Sequence, residues 1–258
     1  MKSFVVYVAT CSRNCRRART VKQHLDTFQV PYHFVYGQQS DTVIEPALRV
    51  DCVESYSQLI HKTRKIIEHF VYDTDAEYLI KIDDDTFLDA TKLPPEMFEY
   101  DYGGCINAYE KRKNTPQCWN NYKMLEYGVD TKYIDVPNVS AVDYANGGFY
   151  FLSRAAATFI LTFSEGEFTN TPETYLGEDL KIGTVIAQNK DLKILDMRIE
   201  SVADFDITTN YSSIHPVSPI MFSKLNKCSC GAETAEILKK YNFLNTHNKI
   251  NNYLNTRC

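Results

Sequence analysis

The fold is decided by the stretch YLIKIDDDTF, residues 78–87. Its first half is a short apolar run, which is typical of a strand buried inside a sheet. Three carboxylates, Asp83, Asp84 and Asp85, follow directly. Because ligands of open α/β sheets bind beyond the carboxyl ends of the strands, this step from apolar strand to acidic cluster predicts an α/β fold with a ligand site there.

The sequence on either side supports an α/β sheet. Residues 4–9 and 32–37 are apolar, β-branched and aromatic runs that predict two further strands, although no strong helix is evident between them. Residues 53–70 carry apolar side chains at spacings of three and four, which predicts a helix. Residues 144–153 predict a strand, and residues 154–163 and 179–188 predict helices. Alternation of strands and helices favours one domain with a mainly parallel sheet.

Composition narrows the class of protein and its partners. The chain has 258 residues, 44% of them hydrophobic, and a net charge of -5, which is typical of a soluble globular protein and argues against nucleic acid as a partner. A small basic cluster suits a phosphate-bearing small molecule; it comprises Arg13, Arg16, Arg17, Arg19 and Lys22. No apolar stretch reaches the ~18 residues that span a bilayer. We therefore expect a cytoplasmic protein, or the lumenal domain of an enzyme whose anchor has been removed.

The aspartate triplet is the strongest chemical signal. Carboxylate oxygens are the ligands that hard cations such as Mn²⁺ and Mg²⁺ prefer, and three adjacent negative charges repel one another unless a cation compensates them. A site that binds a metal ion and a nucleotide-bearing donor substrate is therefore favoured over a solvated turn or a helix cap. The same pattern also fits a phosphatase of the haloacid-dehalogenase type, in which the first aspartate is a nucleophile.

Three further motifs could complete a site. In Gly177-Glu178-Asp179 a carboxylate could act as a general base, or Glu178 or Asp179 could instead cap a helix. His215 could complete a metal shell or serve a structural role. The pair Gly147 and Gly148 would let a sugar ring approach the backbone closely, unless it only forms a turn or a bulge.

In combination, these segments resemble glycosyltransferase family 31, the β-1,3-galactosyltransferase and Fringe-like group. The similarity extends over about 200 residues in the family's order. Its matching pieces are residues 16–20, 51–63, 78–87 and 144–153, together with residues 177–179 and Gly183. Leu180 stands where the family usually has valine after Glu-Asp.

The resemblance implies a single GT-A domain over residues 1–258, with a mixed central sheet flanked by helices. Residues 1–105 would form the nucleotide-binding half, residues 106–225 the acceptor-binding half, and residues 226–258 a C-terminal helix and tail. It also implies an inverting transfer from a UDP-sugar, galactose favoured, to a glycan or glycoprotein acceptor, with Mn²⁺ as the expected metal and Mg²⁺ as the alternative.

The resemblance further assigns roles to single residues. Asp179 is similar to the family's catalytic base, and Asp85 and His215 are similar to its metal ligands. The expected contacts to the donor are Thr10, Arg16, Lys62, Asp83, Asp84, Gly147 and Gly148. Two alternatives remain at this stage: the phosphatase, which would use Asp83 and Asp85, and a carbohydrate-binding protein without catalysis.

Overall fold

A computed structural model of the chain describes residues 2–84, 86–88, 90–107, 142–169, 177–197 and 213–214. Within these ranges the chain alternates between strands and helices. The strands are β1 (Phe4–Ala9), β2 (Tyr32–Gly37), β3 (Ala47–Val50), β4 (Tyr78–Asp83), β5 (Phe87–Leu88), β6 (Tyr102–Asn107), β7 (Tyr144–Ser153), β8 (Ile194–Asp196) and β9 (Ser213–Ile214). The α-helices are α1 (Cys15–Leu25), α2 (Leu59–Asp73), α3 (Arg154–Leu161) and α4 (Glu178–Ile186).

Seven of the strands form one mixed sheet in the order β3-β2-β1-β4-β7-β6-β8. Strands β3, β2, β1 and β4 run parallel, while β7 runs antiparallel to both β4 and β6. Strands β5 and β9 pair separately as a short antiparallel ribbon. The predicted α/β class with a mixed central sheet is confirmed.

Successive side chains of the central strands point to opposite faces of the sheet, so that each face has its own apolar layer. On one face Tyr7, Leu79 and Tyr150 are buried in a cluster that includes side chains of α2, α3 and α4. On the other face Val8 and Ile80 are buried in a cluster with the apolar side of α1. The sheet is therefore covered on both faces, as expected for strands that read as continuous apolar runs.

Two sequence predictions about helices are corrected by the structure. Helix α1 lies between β1 and β2, where no strong helix was expected, because its many arginines obscure an apolar stripe formed by Ala18, Val21 and Leu25. The helix predicted from residue 53 begins at Leu59, after a short 3₁₀ turn over Tyr56–Gln58, and continues to Asp73.

The boundary predicted between residues 105 and 106 falls inside β6, and the strands on both sides of it belong to the same sheet. The expected C-terminal helix and tail, residues 226–258, lie outside the described residues. Within the described part of the chain, every helix is too short or too polar to cross a bilayer.

Helix α4 is pressed against β7 at a glycine. A Cβ on Gly183 would lie 2.3 Å from the Cβ of Tyr144 and 3.0 Å from the carbonyl oxygen of Asp143. These distances are too short for any other residue without movement of the helix or the strand. Since α4 carries Glu178 and Asp179 in its first turn, Gly183 fixes how closely these carboxylates approach the sheet.

We predict that Gly183→Ala lowers the free energy of unfolding by about 1–3 kcal/mol, because overpacking forces α4 away from β7. Gly166→Ala is the matched control, since a Cβ there would meet only Ser164 Oγ at 4.0 Å. Urea unfolding of both variants measures the difference. Equal stability of the two variants would contradict the close packing of α4.

Candidate functional site

The site lies where β1 and β4 end beside the beginning of α4. Strand β4 ends at Asp83, and Ala9, the last residue of β1, is paired with it. Thr10 follows β1, and Asp84 follows β4. The predicted position at the carboxyl edge of the parallel strands is therefore confirmed for Asp83 and Asp84.

The two described aspartates of the triplet have different partners. Asp83 Oδ1 accepts a hydrogen bond of 2.6 Å from Lys81 Nζ. Asp84 is buried, and its Oδ2 accepts a 2.7 Å bond from Thr10 Oγ1, while its Oδ1 lies 3.5 Å from Arg17 Nη1 of α1. Each carboxylate therefore has a cation of the protein beside it. The negative charges of Asp83 and Asp84 are therefore offset in part by the protein itself, and the role of a metal ion beside the triplet stays a prediction.

Lys81 links three elements from inside the protein. Its side chain is fully buried, and Nζ donates 2.6 Å bonds to Asp83 Oδ1 and to the carbonyl oxygen of Gly147 in β7. Glu178 Oε2, in the first turn of α4, lies 3.6 Å from the same nitrogen. Burial by itself would lower the pKa of Lys81, but the charges of Asp83 and Glu178 hold it above its ordinary value.

Glu178, whose Oε2 lies near Lys81 Nζ, is a buried carboxyl group. Its Oε1 accepts hydrogen bonds from Thr63 Oγ1 of α2 at 3.0 Å and from Tyr150 OH of β7 at 2.5 Å. Burial raises the pKa of Glu178 to about 7, and the nearby ammonium of Lys81 offsets part of that effect. The possible capping role of Glu178 is not observed, because its side chain points to α2 and β7 and Gly177 is the N-cap residue.

Asp179 is only half-buried, and it is held by two backbone amides. Its Oδ2 accepts a 3.1 Å bond from the N–H of Gly147, and its Oδ1 accepts a 2.8 Å bond from the N–H of Leu180. Burial raises the pKa of Asp179, whereas these two hydrogen bonds and Lys81 act in the opposite direction. The arrangement leaves a carboxylate that is fixed in orientation and partly open to solvent.

Gly147 and Gly148 lie inside β7 rather than in a turn, and the bulge alternative agrees with the pairing of β7 with β6, which shifts register between the pairs Tyr150–Gly104 and Ala145–Ile106. A Cβ on Gly147 would lie 3.2 Å from Glu178 Oε2 and 3.5 Å from Asp179 Oδ2, so the glycine lets the strand approach these carboxylates. The carbonyl oxygen of Gly148 accepts a 2.7 Å bond from the buried hydroxyl of Thr86, just after the aspartates. The close approach seen here is to carboxylates of the protein; the expected approach to a sugar stays a prediction.

The predicted nucleotide contacts Lys62 and Arg16 differ in their surroundings. Lys62 is buried, and its Nζ donates to the carbonyl oxygen of Thr10 at 2.6 Å and to Glu54 Oε2 at 2.7 Å. Two of its three N–H groups are thus bound within the protein. Arg16 is exposed, whereas its neighbour Arg17 reaches Asp84. The structure therefore brings Arg17, rather than Arg16, to the aspartates.

The two predicted metal ligands, Asp85 and His215, lie outside the described residues. The backbone next to each is described: Phe87 in β5 pairs with Ile214 in β9. Across the described ranges, no group of three His, Cys, Asp or Glu side chains is arranged to hold a metal ion. The metal site stays a prediction.

Three residues of this cluster were not predicted from the sequence as members of a site, namely Lys81, Glu54 and Tyr150, whereas Arg17 was predicted only as part of the basic cluster. Lys81 carried the clearest signal, because a lysine inside an apolar strand must find an anionic partner, and Asp83 lies two residues along on the same face. The partners of Arg17, Glu54 and Tyr150 depend on long-range packing that spacing along the chain does not reveal.

Comparisons with known proteins agree with the geometry. A sequence profile of the family described as Galactosyltransferase matches residues 22–198. Hydroxyproline O-galactosyltransferase GALT6 of Arabidopsis thaliana is 29% identical over 189 residues, which are 69% of this chain and 24% of that protein. Probable β-1,3-galactosyltransferase 1 of the same plant is 26% identical over 143 residues, or 53% of this chain and 34% of that protein. The chain therefore spans only about a quarter to a third of these relatives.

Solved structures identify the fold. The galactosyltransferase LgtC, in complex with donor and acceptor sugar analogues, superposes with a TM-score of 0.51 over 98% of this chain and 97% of its own, at 11% sequence identity. That likeness, with the mixed seven-stranded sheet and its flanking helices, confirms the GT-A fold. Since the profile match covers more than half of the 258 residues, the chain belongs to the Galactosyltransferase family, of the family 31 type.

Proposed function

We propose that the chain is a metal-dependent, inverting glycosyltransferase that moves a hexose from a UDP-sugar to a hydroxyl group of a glycan acceptor. Family membership supports the class of reaction, and the names of the relatives favour galactose as the sugar. The observation that carries the proposal is Asp179, a half-buried carboxylate fixed by two amides and close enough to Asp83 of β4 for their charges to interact.

Asp179 suits the role of a general base. A base must hold a fixed position and a lone pair open to the acceptor hydroxyl, and the half-buried carboxylate offers both. Asp179 would take the proton of that hydroxyl while the hydroxyl oxygen bonds to the anomeric carbon. The bond from that carbon to the diphosphate oxygen breaks in the same step, and the diphosphate leaves on the opposite face with inversion.

The donor is proposed to lie along the carboxyl edge of β1 and β4. Thr10 and Asp84 form a buried pair there, and Arg17 brings a positive charge beside them that suits a phosphate group. Lys62 fixes the carbonyl oxygen of Thr10, so we propose that it shapes the nucleotide pocket, with its remaining N–H available to the donor. Asp83 and the glycine pair would line the sugar side.

A divalent cation fits the chemistry of this edge, because aspartate oxygens are hard ligands. Asp85 and His215 are the proposed ligands. The pairing of Phe87 with Ile214 supports this choice, since it joins the chain just after Asp85 to the chain just before His215. When bound, Mn²⁺ would offset the negative charge of the diphosphate leaving group.

The match to the Galactosyltransferase family supports a transferase and lends no support to the phosphatase alternative. That alternative predicts Mg²⁺-dependent hydrolysis of aryl phosphates and no thermal shift with UDP. A carbohydrate-binding protein without catalysis would bind sugar but would release no UDP from any UDP-sugar. A coupled assay for UDP release separates both alternatives from the transferase.

We predict that Asp179→Asn lowers kcat for sugar transfer by about 10²–10⁴-fold, because the acceptor loses its base. The Kd for UDP should stay close to that of the wild type, since the base acts on the acceptor. Asp191→Asn is the control, because this exposed residue lies beyond α4. Normal transfer by Asp179→Asn would make the assignment of the base wrong.

The pH dependence of kcat follows from the raised pKa of Asp179. The carboxylate must be ionised to accept a proton, so activity is lost as the pH falls through its pKa. We therefore expect the acid limb of kcat, at saturating donor and metal, to lie above the pKa of about 3.9 that is usual for aspartate. An acid limb at or below that value would contradict Asp179 as the base.

Removal of the metal tests the other half of the proposal. We predict that chelation with EDTA abolishes transfer, that Mn²⁺ restores it, and that Asp85→Ala is no longer stimulated by Mn²⁺ because the ion loses a ligand. Asp75→Ala, an exposed change before β4, should respond to Mn²⁺ as the wild type does. Full Mn²⁺ stimulation of Asp85→Ala would exclude Asp85 as a ligand.

A further inference from the structure

Gly147 is held on both sides by charged side chains. Lys81 Nζ donates to its carbonyl oxygen at 2.6 Å, and its N–H donates to Asp179 Oδ2 at 3.1 Å. A Cβ on Gly147 would lie only 3.2 Å from Glu178 Oε2 and at an ordinary contact distance of 3.5 Å from Asp179 Oδ2. Lys81, Gly147 and Asp179 thus form one continuous chain of contacts from β4 through β7 to α4.

Lys81 also contacts two further carboxylates, those of Asp83 at the end of β4 and of Glu178 in the first turn of α4. The same ammonium donates to Asp83 Oδ1 at 2.6 Å and lies 3.6 Å from Glu178 Oε2. Charge-assisted hydrogen bonds of this length are strong and directional, particularly inside a protein. One buried cation therefore sets the position of the last residue of β4 and of the first turn of α4.

We propose that Lys81 is a positioning residue, which holds Asp83 and, through Gly147, Asp179 in the orientation that sugar transfer requires. This inference rests on the proposed function, and Lys81 itself touches no substrate in it. A structural role alone would not require a charge here, because a buried ion pair can often be replaced by apolar side chains without loss of stability. A lysine at the centre of both carboxylate motifs instead gives the site a defined geometry.

Charged and titratable groups face Asp179 and Lys81 from several elements. Strand β4 contributes Asp83, and α4 contributes Glu178. Strands β6 and β7 contribute Tyr102 and Tyr150, whose pKa values are raised first by burial and also by the nearby carboxylates. Of these surroundings, Lys81 lowers the pKa of Asp179 and Asp83 raises it. Removal of Lys81 should therefore shift the titration of Asp179 to higher pH.

The test uses the variants Glu178→Gln and Lys81→Met/Glu178→Gln. Lys81→Met alone would leave Glu178 buried without its cation and could unfold the protein, whereas the double variant removes both charges. The two variants differ only at Lys81, so their comparison isolates its effect. Urea unfolding of each variant establishes that it is folded.

We predict that the double variant has a kcat about 10- to 100-fold lower than Glu178→Gln, since small displacements of a catalytic group cost that much. The titration midpoint of the Asp179 carboxyl carbon, followed by ¹³C NMR without donor or metal, should rise by about one pH unit. The acid limb of kcat should move in the same direction.

Equal kcat values and equal Asp179 titrations in the two variants would overturn the proposal, as would a change confined to unfolding stability. Failure of the double variant to fold would also overturn it, because Lys81 would then be a structural requirement. If the wild-type protein transfers no sugar, the proposed function fails, while the NMR titration still tests Lys81 independently.

Discussion

The structure of the site depends on the fully buried ammonium group of Lys81. Removing a charge from water is costly unless hydrogen bonds and an opposite charge replace the lost hydration. Lys81 meets this requirement with Asp83 from its own strand, the carbonyl oxygen of Gly147 from β7 and Glu178 from α4. Three elements that are far apart in the sequence must therefore converge, and the edge of the sheet where they meet is the edge where donor and acceptor are proposed to bind.

The sheet itself could be predicted from local patterns. Continuous apolar runs gave the strands of the core, and the aspartates after residue 82 gave the edge at which a ligand site is expected. Helix α1 could not be recognised as easily, because Arg16, Arg17 and Arg19 outweigh its narrow apolar stripe in any average over the helix. Helix propensity is a weak guide where packing against the sheet decides the outcome.

The partners of the charged side chains in the site could not be predicted from spacing along the chain. The relief of charge on Asp83 and Asp84 comes from Lys81 and from Arg17, which reaches over from another element. Lys62 could be singled out by resemblance, but its bonds to Thr10 and Glu54 could not, because they depend on how α2 packs across β1. Asp179 could likewise be identified by resemblance. Its hydrogen bond from the N–H of Gly147 could not, because that bond depends on how β7 pairs within the sheet.

The stereochemistry of the first sugar released tests the central claim most directly. The protein would be incubated with Mn²⁺ and UDP-α-galactose, and the anomeric proton of the new product followed by ¹H NMR before mutarotation. Displacement assisted by Asp179 predicts release of UDP together with a β-configured sugar, whether the acceptor is a glycan or water. Release of the α-anomer first, or no release of UDP at all, would contradict this account.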